Sequence, residues 1–233
     1  TTHATTEFLS SYRKLITIRS NGMSADGLSK ASVTENALIY PILFNSPPAP
    51  LMVKHGFSST GEFELAANPD GLGTALPLSL WSGATIALSG TKHHSCILSV
   101  FNAGNCAANT YSDHTIKLDD IADGSTSFPA DLFSYLFNIP SSGWIELQQQ
   151  SDFVLADCDT LDINSWGVIW VNGDCDVSAG KQIGNDLKPI ILIIFDGNIE
   201  LQNDVVVYGL VFAFKPLGST KILDINMQTN SFL

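Results

Sequence analysis

The sequence predicts a mainly β protein with a small solenoid-like C-terminal half of parallel β-coils and one or two short helices. Short apolar runs separated by Gly, Asn, Asp and Pro turns recur along the chain, and a degenerate strand–corner–strand repeat occupies residues 163–216. Only residues 128–137 have a clear helical pattern. We expect one globular unit over residues 1–233, with an N-terminal β region at 1–127 and a helix plus the repeats at 128–233.

Composition indicates a folded, acidic protein. The 233 residues include 11 Lys and Arg against 23 Asp and Glu, which gives a formal net charge of −12, and 45% of them are hydrophobic. Because Arg13 and Arg19 are the only arginines, the chain lacks the basic surface that nucleic acids require, and no nucleic-acid partner is expected. No apolar run is long enough to span a bilayer. Since the chain opens at Thr1, we expect a processed product or an excised piece.

Turn signals divide the N-terminal half into short strands. Residues 15–19 and 31–40 are predicted to pair as a hairpin, because a turn sequence at 25–27 lies between them. The proline-rich segment 46–50 lacks backbone donors that a central strand needs, so it is predicted to be a connection. Residues 6–14 are the candidate for a second short helix.

Residues 131–137 are predicted to form the principal helix. Pro129 precedes them, at a position where a helix tolerates proline, and Pro140 follows them. Four apolar side chains recur at helical spacing, namely Leu132, Phe133, Leu136 and Phe137. This stripe is typical of a helix that faces a core. We therefore expect the helix to cap one end of the repeats.

The repeat aligns residues 167–177 with residues 191–201, which lie 24 positions later. Each copy contains an apolar strand, a glycine corner and a short alternating strand, as stacked β-coils do. This alignment predicts that Val168 lies above Leu192 and that Gly173 and Gly197 occupy equivalent corners. The alternative is an antiparallel β-sandwich whose hairpins have similar sequences.

The strand at residues 189–194 is apolar at every position. An alternating pattern would indicate one solvated face, whereas a continuous apolar run indicates a strand that is covered on both faces. We therefore expect a second layer of structure to pack on the outside of this strand.

The cysteine pattern predicts two disulfides. Cys96 and Cys106 are ten residues apart around a turn sequence, and Cys158 and Cys175 flank the first repeat strand. Local pairing gives Cys96–Cys106 and Cys158–Cys175, which is typical of an oxidising compartment. The alternative is four buried free thiols in a cytosolic protein.

Two candidate metal sites compete with simpler interpretations. His93 and His94 lie close to the first cysteine pair, but their spacing differs from that of structural zinc sites, so no transition metal is expected. Asp157, Asp159 and Asp162 are a candidate calcium site, although the loop lacks the EF-hand glycine and terminal glutamate. A solvated acidic loop is the preferred interpretation, and no cofactor is predicted.

No catalytic constellation is evident in the sequence. The G-x-S-x-G motif is absent, and the repeat region contains no arginine, which disfavours a β-helix polysaccharide lyase or hydrolase. The tryptophans offer a binding alternative, because exposed indoles stack on sugars; they are Trp81, Trp144, Trp166 and Trp170. Trp166 and Trp170 share a strand parity and are predicted to lie on one face, with core packing preferred for each.

A series of ordered segments resembles a known family. The segments are residues 128–133, 157–158, 167–175, 183–184, 188–192 and 208–212, with looser similarity at 16–22 and 77–82. Together they resemble the C-terminal region of PilX-type minor type IV pilins and related pilin-like proteins of Gram-negative bacteria.

The resemblance implies a structural role without catalytic residues. Proteins of this family are made as prepilins, whose hydrophobic N-terminal helix anchors them in the inner membrane and later packs in the filament. The resemblance therefore implies that the chain is a periplasmic or cell-surface subunit of a type IV pilus or related secretion filament. The implied partners are other pilin or pseudopilin subunits and a host or abiotic surface. The alternative is a secreted or surface adhesin, or glycan-binding β-module, outside any pilus.

Overall fold

A computed structural model describes most of the chain, namely residues 2–8, 14–39, 41–55, 57–59, 63–73, 76–88, 93–108, 110–112, 119–221 and 224–228. The protein is mainly β, with three short α-helices in the described ranges. None of these helices has the length and apolar character needed to cross a membrane. The chain divides into two compact units, residues 1–46 with 136–138 and residues 47–135 with 139–233.

The main boundary between the two units lies at residues 46 and 47, inside the proline-rich segment that was predicted to be a connection. Prolines there interrupt strand pairing, because they remove backbone donors.

The first unit contains one antiparallel sheet. Its strands are β1 (Thr2–Phe8), β2 (Lys14–Met23) and β3 (Lys30–Ile39), in the order β1-β2-β3. The β2–β3 pair confirms the predicted hairpin, and Gly27 takes a φ of 71° in its turn. The helix predicted at residues 6–14 is wrong at both ends, which belong to β1 and β2; residues 9–13 lie outside the described ranges. Threonine-rich sequence favours a strand once a pairing partner is available.

The second unit begins with a region of mostly parallel strands, which we call the first parallel region. Its strands are β4 (Leu51–Val53), β5 (Phe57–Ser59), β6 (Phe63–Gly71), β7 (Leu76–Leu78), β8 (Leu80–Ser82), β9 (Ile86–Leu88), β10 (His93–Ile97) and β11 (Ile121–Ala122). They form three sheets, β10-β6-β7, β11-β8-β4 and β5-β9, in which only the β6–β7 pair is antiparallel.

Three of the four parallel pairs described in this region have nearly the same separation along the chain, and the β8–β11 pair has a larger one. Leu51 pairs with Leu80 and Phe57 pairs with Ile86, at equal separations along the chain, and β6 pairs with β10 at nearly the same separation. The sequence prediction confined parallel strands to the C-terminal half, and it missed this region because the paired segments share no residue pattern.

Three helices and two 3-10 turns connect the strands. The helices are α1 (Leu98–Asn102), α2 (Leu132–Phe137) and α3 (Trp144–Gln149); the 3-10 turns are Cys106–Ala108 and Ser141–Gly143. Helix α2 confirms the predicted principal helix to within one residue. Helices α1 and α3 were not predicted from the sequence.

Asp131 fixes the start of α2. Its carboxylate accepts the backbone N–H of Ser134 at 3.0 Å and that of Ser141 at 2.9 Å. Partial burial raises the pKa of Asp131, but these hydrogen bonds, with a smaller contribution from Lys54, outweigh burial and hold the pKa below its ordinary value of 3.8. The residue therefore acts as an ionised N-cap.

Three parallel sheets make up the second parallel region. The largest has the order β12-β13-β16-β19, with β12 (Phe153–Leu155), β13 (Gly167–Asn172), β16 (Ile190–Phe195) and β19 (Gly209–Phe214). The second contains β14 (Cys175–Val177), β17 (Ile199–Leu201) and β20 (Ile225–Met227). The third pairs β15 (Gln182–Ile183) with β18 (Val206–Val207). The chain visits the three sheets in rotation.

The predicted parallel pairing of the two repeat strands is confirmed, but the predicted register is wrong by one residue. Val168 lies opposite Ile191, and Leu192 lies opposite Ile169. The predicted repeat spacing resumes at the corner, where Gly197 lies directly against Gly173. The second copy holds one additional residue between strand and corner, Asp196, which takes a left-handed φ of 54°.

Both faces of the largest sheet are covered, as its continuous apolar strands predicted. One face belongs to a buried apolar core that includes Ile169, Leu192 and Ile194. Alternate residues point the other way, where Phe133 of α2 lies 5.9 Å from Phe212 between ring centroids. The prediction that this helix caps an end of the repeats is therefore wrong. Its aromatic side chain packs on the outer face of the sheet.

Candidate functional site

Two disulfides are present, and both have the pairing predicted from the sequence. Cys96–Cys106 joins the end of β10 to a 3-10 turn, with 5.4 Å between the Cα atoms. Cys158–Cys175 joins the loop after β12 to β14, with 5.0 Å between the Cα atoms. All four cysteines are buried, so the disulfides cross-link the interior of the second unit.

The first disulfide removes the sulfur ligands of the zinc alternative. Cys96 and Cys106 are bonded to each other, and zinc requires thiolates. His93 and His94 lie on β10, beside a small buried cavity of about 10 Å³. That volume holds about one water molecule.

The three candidate calcium ligands serve as turn residues. Asp157 accepts the backbone N–H of Asp159 at 3.1 Å, and Asp162 accepts that of Asn164 at 2.8 Å. Lys181 donates to the backbone carbonyl of Asp159 at 2.7 Å, and the Asp159 carboxylate takes no part in that hydrogen bond. Across the described ranges, no three His, Cys, Asp or Glu side chains converge as a metal site requires. The geometry therefore supports the acidic-loop interpretation.

A buried aspartate is the main polar centre that sequence reasoning missed. Asp120 is only 1% exposed, and its carboxylate accepts hydroxyl hydrogen bonds from Ser79 at 2.6 Å, from Ser95 at 2.5 Å and from Ser112. The Asp120 backbone carbonyl also accepts the Ser79 N–H at 2.7 Å. We call these four residues the Asp120 cluster.

The Asp120 cluster places three serine hydroxyls around one buried carboxylate. Each hydroxyl donates its proton to a carboxylate oxygen of Asp120. The cluster joins β10 to the segments around residues 79, 112 and 120. Hydrogen bonds to a buried carboxylate offset the cost of removing its charge from water.

The tryptophans separate into core and surface residues. Trp170 is fully buried; it stacks on Trp144 with 5.7 Å between ring centroids and donates its indole N–H to Asn172 at 3.0 Å. Trp166 is 49% exposed and contacts Phe153 edge to face at 5.4 Å. The predicted shared face is therefore wrong, because Gly167 has a left-handed φ of 76° and interrupts the strand alternation.

Trp166 borders an open groove. The groove has a volume of about 340 Å³, and its other lining residues are Gly167, Leu187, Lys188 and Pro189. It combines an indole, two aliphatic side chains and one cation. Proteins bind both sugars and peptides at sites where an exposed aromatic side chain lies beside a polar group.

Polar ladders follow the short strands of the second parallel region. Asp174 accepts the backbone N–H of Asn198 at 2.8 Å, and Asn198 accepts that of Asp224 at 3.2 Å. On the next outward position, Gln202 donates to Asp176 at 3.2 Å. The first two contacts satisfy backbone N–H groups at the corners, and the third joins the side chains of two successive strand levels.

No family model, curated protein or solved structure matches the chain. The resemblance to PilX-type pilins therefore rests on the ordered segments of the sequence alone.

Proposed function

We propose that the chain is the globular part of a minor pilin-like subunit in a type IV pilus or related secretion filament. The observation that carries the proposal is the position of the resembling segments. Those at residues 157–158, 167–175, 183–184, 188–192 and 208–212 lie on the strands and corners of the second parallel region. These segments follow one another within residues 157–212 and belong to one packed body, and the segment at residues 128–133 leads into α2.

We also infer that the second parallel region is a short β-solenoid. Its three sheets succeed one another in rotation, and strands of successive rounds pair in parallel and in register. Equivalent corners at Gly173 and Gly197 lie in contact. An antiparallel sandwich has no counterpart to this pattern.

The proposed location is the periplasm or cell surface. Two buried disulfides indicate an oxidising compartment, since reducing conditions in the cytosol disfavour such bonds. The proposal assigns no catalytic step, because the Asp120 cluster and the cysteines serve internal contacts. The subunit acts through its surfaces, toward other pilin or pseudopilin subunits and toward a host or abiotic surface.

A gene deletion in the source organism tests the filament role. We expect deletion to reduce the number of surface filaments counted by electron microscopy, and the full-length gene to restore it. The matched control restores the gene with Leu28→Ala, a change at an exposed position between β2 and β3, away from the Trp166 groove. Unchanged filament number and unchanged filament-dependent adhesion would contradict the proposal.

Exposed Trp166 favours the second candidate, an adhesin or glycan-binding module. Under this alternative, Trp166→Ala would abolish binding to a glycan array, whereas Trp170→Phe at the buried indole would preserve it. The full-length gene discriminates further. A short leader that ends just before a long apolar helix supports the pilin, and an ordinary signal peptide supports the adhesin.

A further inference from the structure

We propose that the two ends of the second parallel region are complementary surfaces through which copies of this chain associate head to tail. The proposal concerns the strands that bound the largest sheet and the charged loops that follow them. It rests on those strands and loops and is independent of the filament role proposed above.

One end of the sheet is β19. Within the part of the chain that the structure describes, β19 has a strand partner on one side only. Ile190 donates its backbone N–H to the Tyr208 carbonyl at 2.9 Å, so the backbone groups of Tyr208 face β16. Because successive residues of a strand point their backbone groups to opposite sides, those of Gly209, Val211 and Ala213 face away from the sheet.

The opposite end is β12, which also has one strand partner among the described residues. Gly173 donates its backbone N–H to the Phe195 carbonyl at 3.0 Å, so alternate residues of β13 face β16, and Val168 and Trp170 face β12. Because Trp170 lies opposite Val154 in the parallel ladder, the backbone groups of Phe153 and Leu155 face β13 and those of Val154 face outward. A parallel strand from another copy can therefore pair with either edge.

Charge distinguishes the two ends at one corner of the region. The corner column runs from Ala156 through Gly173 and Gly197 to the loop at residues 215–221. Below this column, the loop after β12 exposes Asp157 and Asp159; above it, the loop after β19 exposes two cations, Lys215 and Lys221.

One translation of a second copy along the corner column allows both the strand pairing and the contact between opposite charges. It places β12 of one copy beside β19 of the next, and it brings the acidic loop against the loop that carries the lysines, because each loop follows its strand at the same corner. The partner that fits is therefore a second copy of this chain. Such a contact is heterologous, so it leaves a free end after each addition instead of closing as a symmetric dimer.

Sedimentation equilibrium of the chain over a wide concentration range tests the proposal. We expect masses that rise progressively beyond the dimer as concentration increases. Ala213→Pro removes an outward N–H at an edge position that tolerates proline, and we expect it to weaken association at least tenfold. Near-UV circular dichroism establishes that each variant keeps the parent fold.

Charge exchange provides a test that does not depend on the strand variant. The double variant K215E/K221E is expected to weaken association at least tenfold, and adding D157K/D159K to it is expected to restore association. The matched control is K30E/K188E, which makes the same change in net charge at lysines outside the corner column. We expect this control to associate almost as strongly as the parent chain.

Three results would overturn the proposal. They are a parent chain that stays monomeric at its solubility limit, association that saturates at a dimer, and association that Ala213→Pro leaves unchanged in a folded variant. The filament count of the deletion strain enters none of these measurements, so failure here and failure of the filament role remain distinguishable.

Discussion

Asp120 is a buried polar centre that sequence reasoning did not select. Its three hydroxyl donors come from positions 41, 25 and 8 residues earlier in the chain, so the cluster exists only after distant segments meet. By contrast, the disulfide partners lie 10 and 17 residues apart, within reach of a local argument. A cysteine forms a disulfide only with another cysteine, so its partner could be predicted from among the four cysteines of the chain, whereas many polar residues can donate to a buried aspartate.

Removing the Asp120 carboxylate should destabilise the second unit. Asp120→Ala leaves three buried serine hydroxyls without their acceptor, and we expect a loss of about 3 kcal/mol in the free energy of unfolding. Asp119→Ala, at the exposed neighbouring carboxylate, should change it by less than about 0.5 kcal/mol. Urea unfolding followed by tryptophan fluorescence measures both. Equal effects would refute a structural role for the cluster.

Asp131 should make stability depend on pH in the acid range. Because its folded-state pKa is lowered below 3.8, the ionised carboxylate contributes stability above that value and loses it as pH falls through the folded-state pKa. At pH 7 we expect Asp131→Ala to cost about 1 kcal/mol, as the loss of an N-cap does.

The difference between Asp131→Ala and the parent should shrink below about pH 4, as the parent carboxylate becomes protonated. Chemical unfolding at a series of pH values measures this convergence. Asp186→Ala, at an exposed loop carboxylate, is the control. A constant difference across the acid range would mean that the carboxylate's charge does not contribute.

Among the elements, the repeat strands show why the register predicted from the sequence is wrong by one residue. The alignment by glycine corners is correct, but Asp196 adds one residue between strand and corner, and a one-residue shift exchanges the two faces of a strand. The covered strand, the hairpin and α2 were predictable from local pattern. The first parallel region was not, because its paired segments have no similar sequences.

Leu192→Asp should unfold the second parallel region. Leu192 lies in the buried core, where an unpaired carboxylate costs several kcal/mol against a total stability of about 5–15 kcal/mol. Leu187→Asp introduces the same charge at a side chain that is 87% exposed, and it should be tolerated. Near-UV circular dichroism distinguishes the two. A folded Leu192→Asp protein would contradict the core assignment.

At the scale of the whole molecule, both disulfides belong to one of the two compact units. Cys96–Cys106 and Cys158–Cys175 lie in the second unit, whereas the antiparallel sheet of the first unit contains no cysteine. The disulfides therefore stabilise the second unit and not the first.

Reduction should weaken the second unit selectively. On the chain-entropy model, opening the Cys158–Cys175 loop costs about 3 kcal/mol, and opening the shorter loop costs slightly less. We expect hydrogen exchange to accelerate after reduction in peptides from β13 and β16, while peptides from β2 and β3 keep their exchange rates. Mass spectrometry of the exchanged peptides measures both. Uniform acceleration would mean that the units unfold together.

Connections in the second parallel region vary in length while the strand ladder stays in register. The chain takes a longer path from β13 to β16 than from β16 to β19, and the path from β17 to β20 is longer than either, yet every paired residue keeps its partner. The exposed connections can therefore change in length, whereas the paired strands hold the region together. At a fully exposed position such as Leu217, inserted sequence would lengthen a loop without shifting the paired strands. A foreign epitope could therefore be displayed there without redesign of the strands.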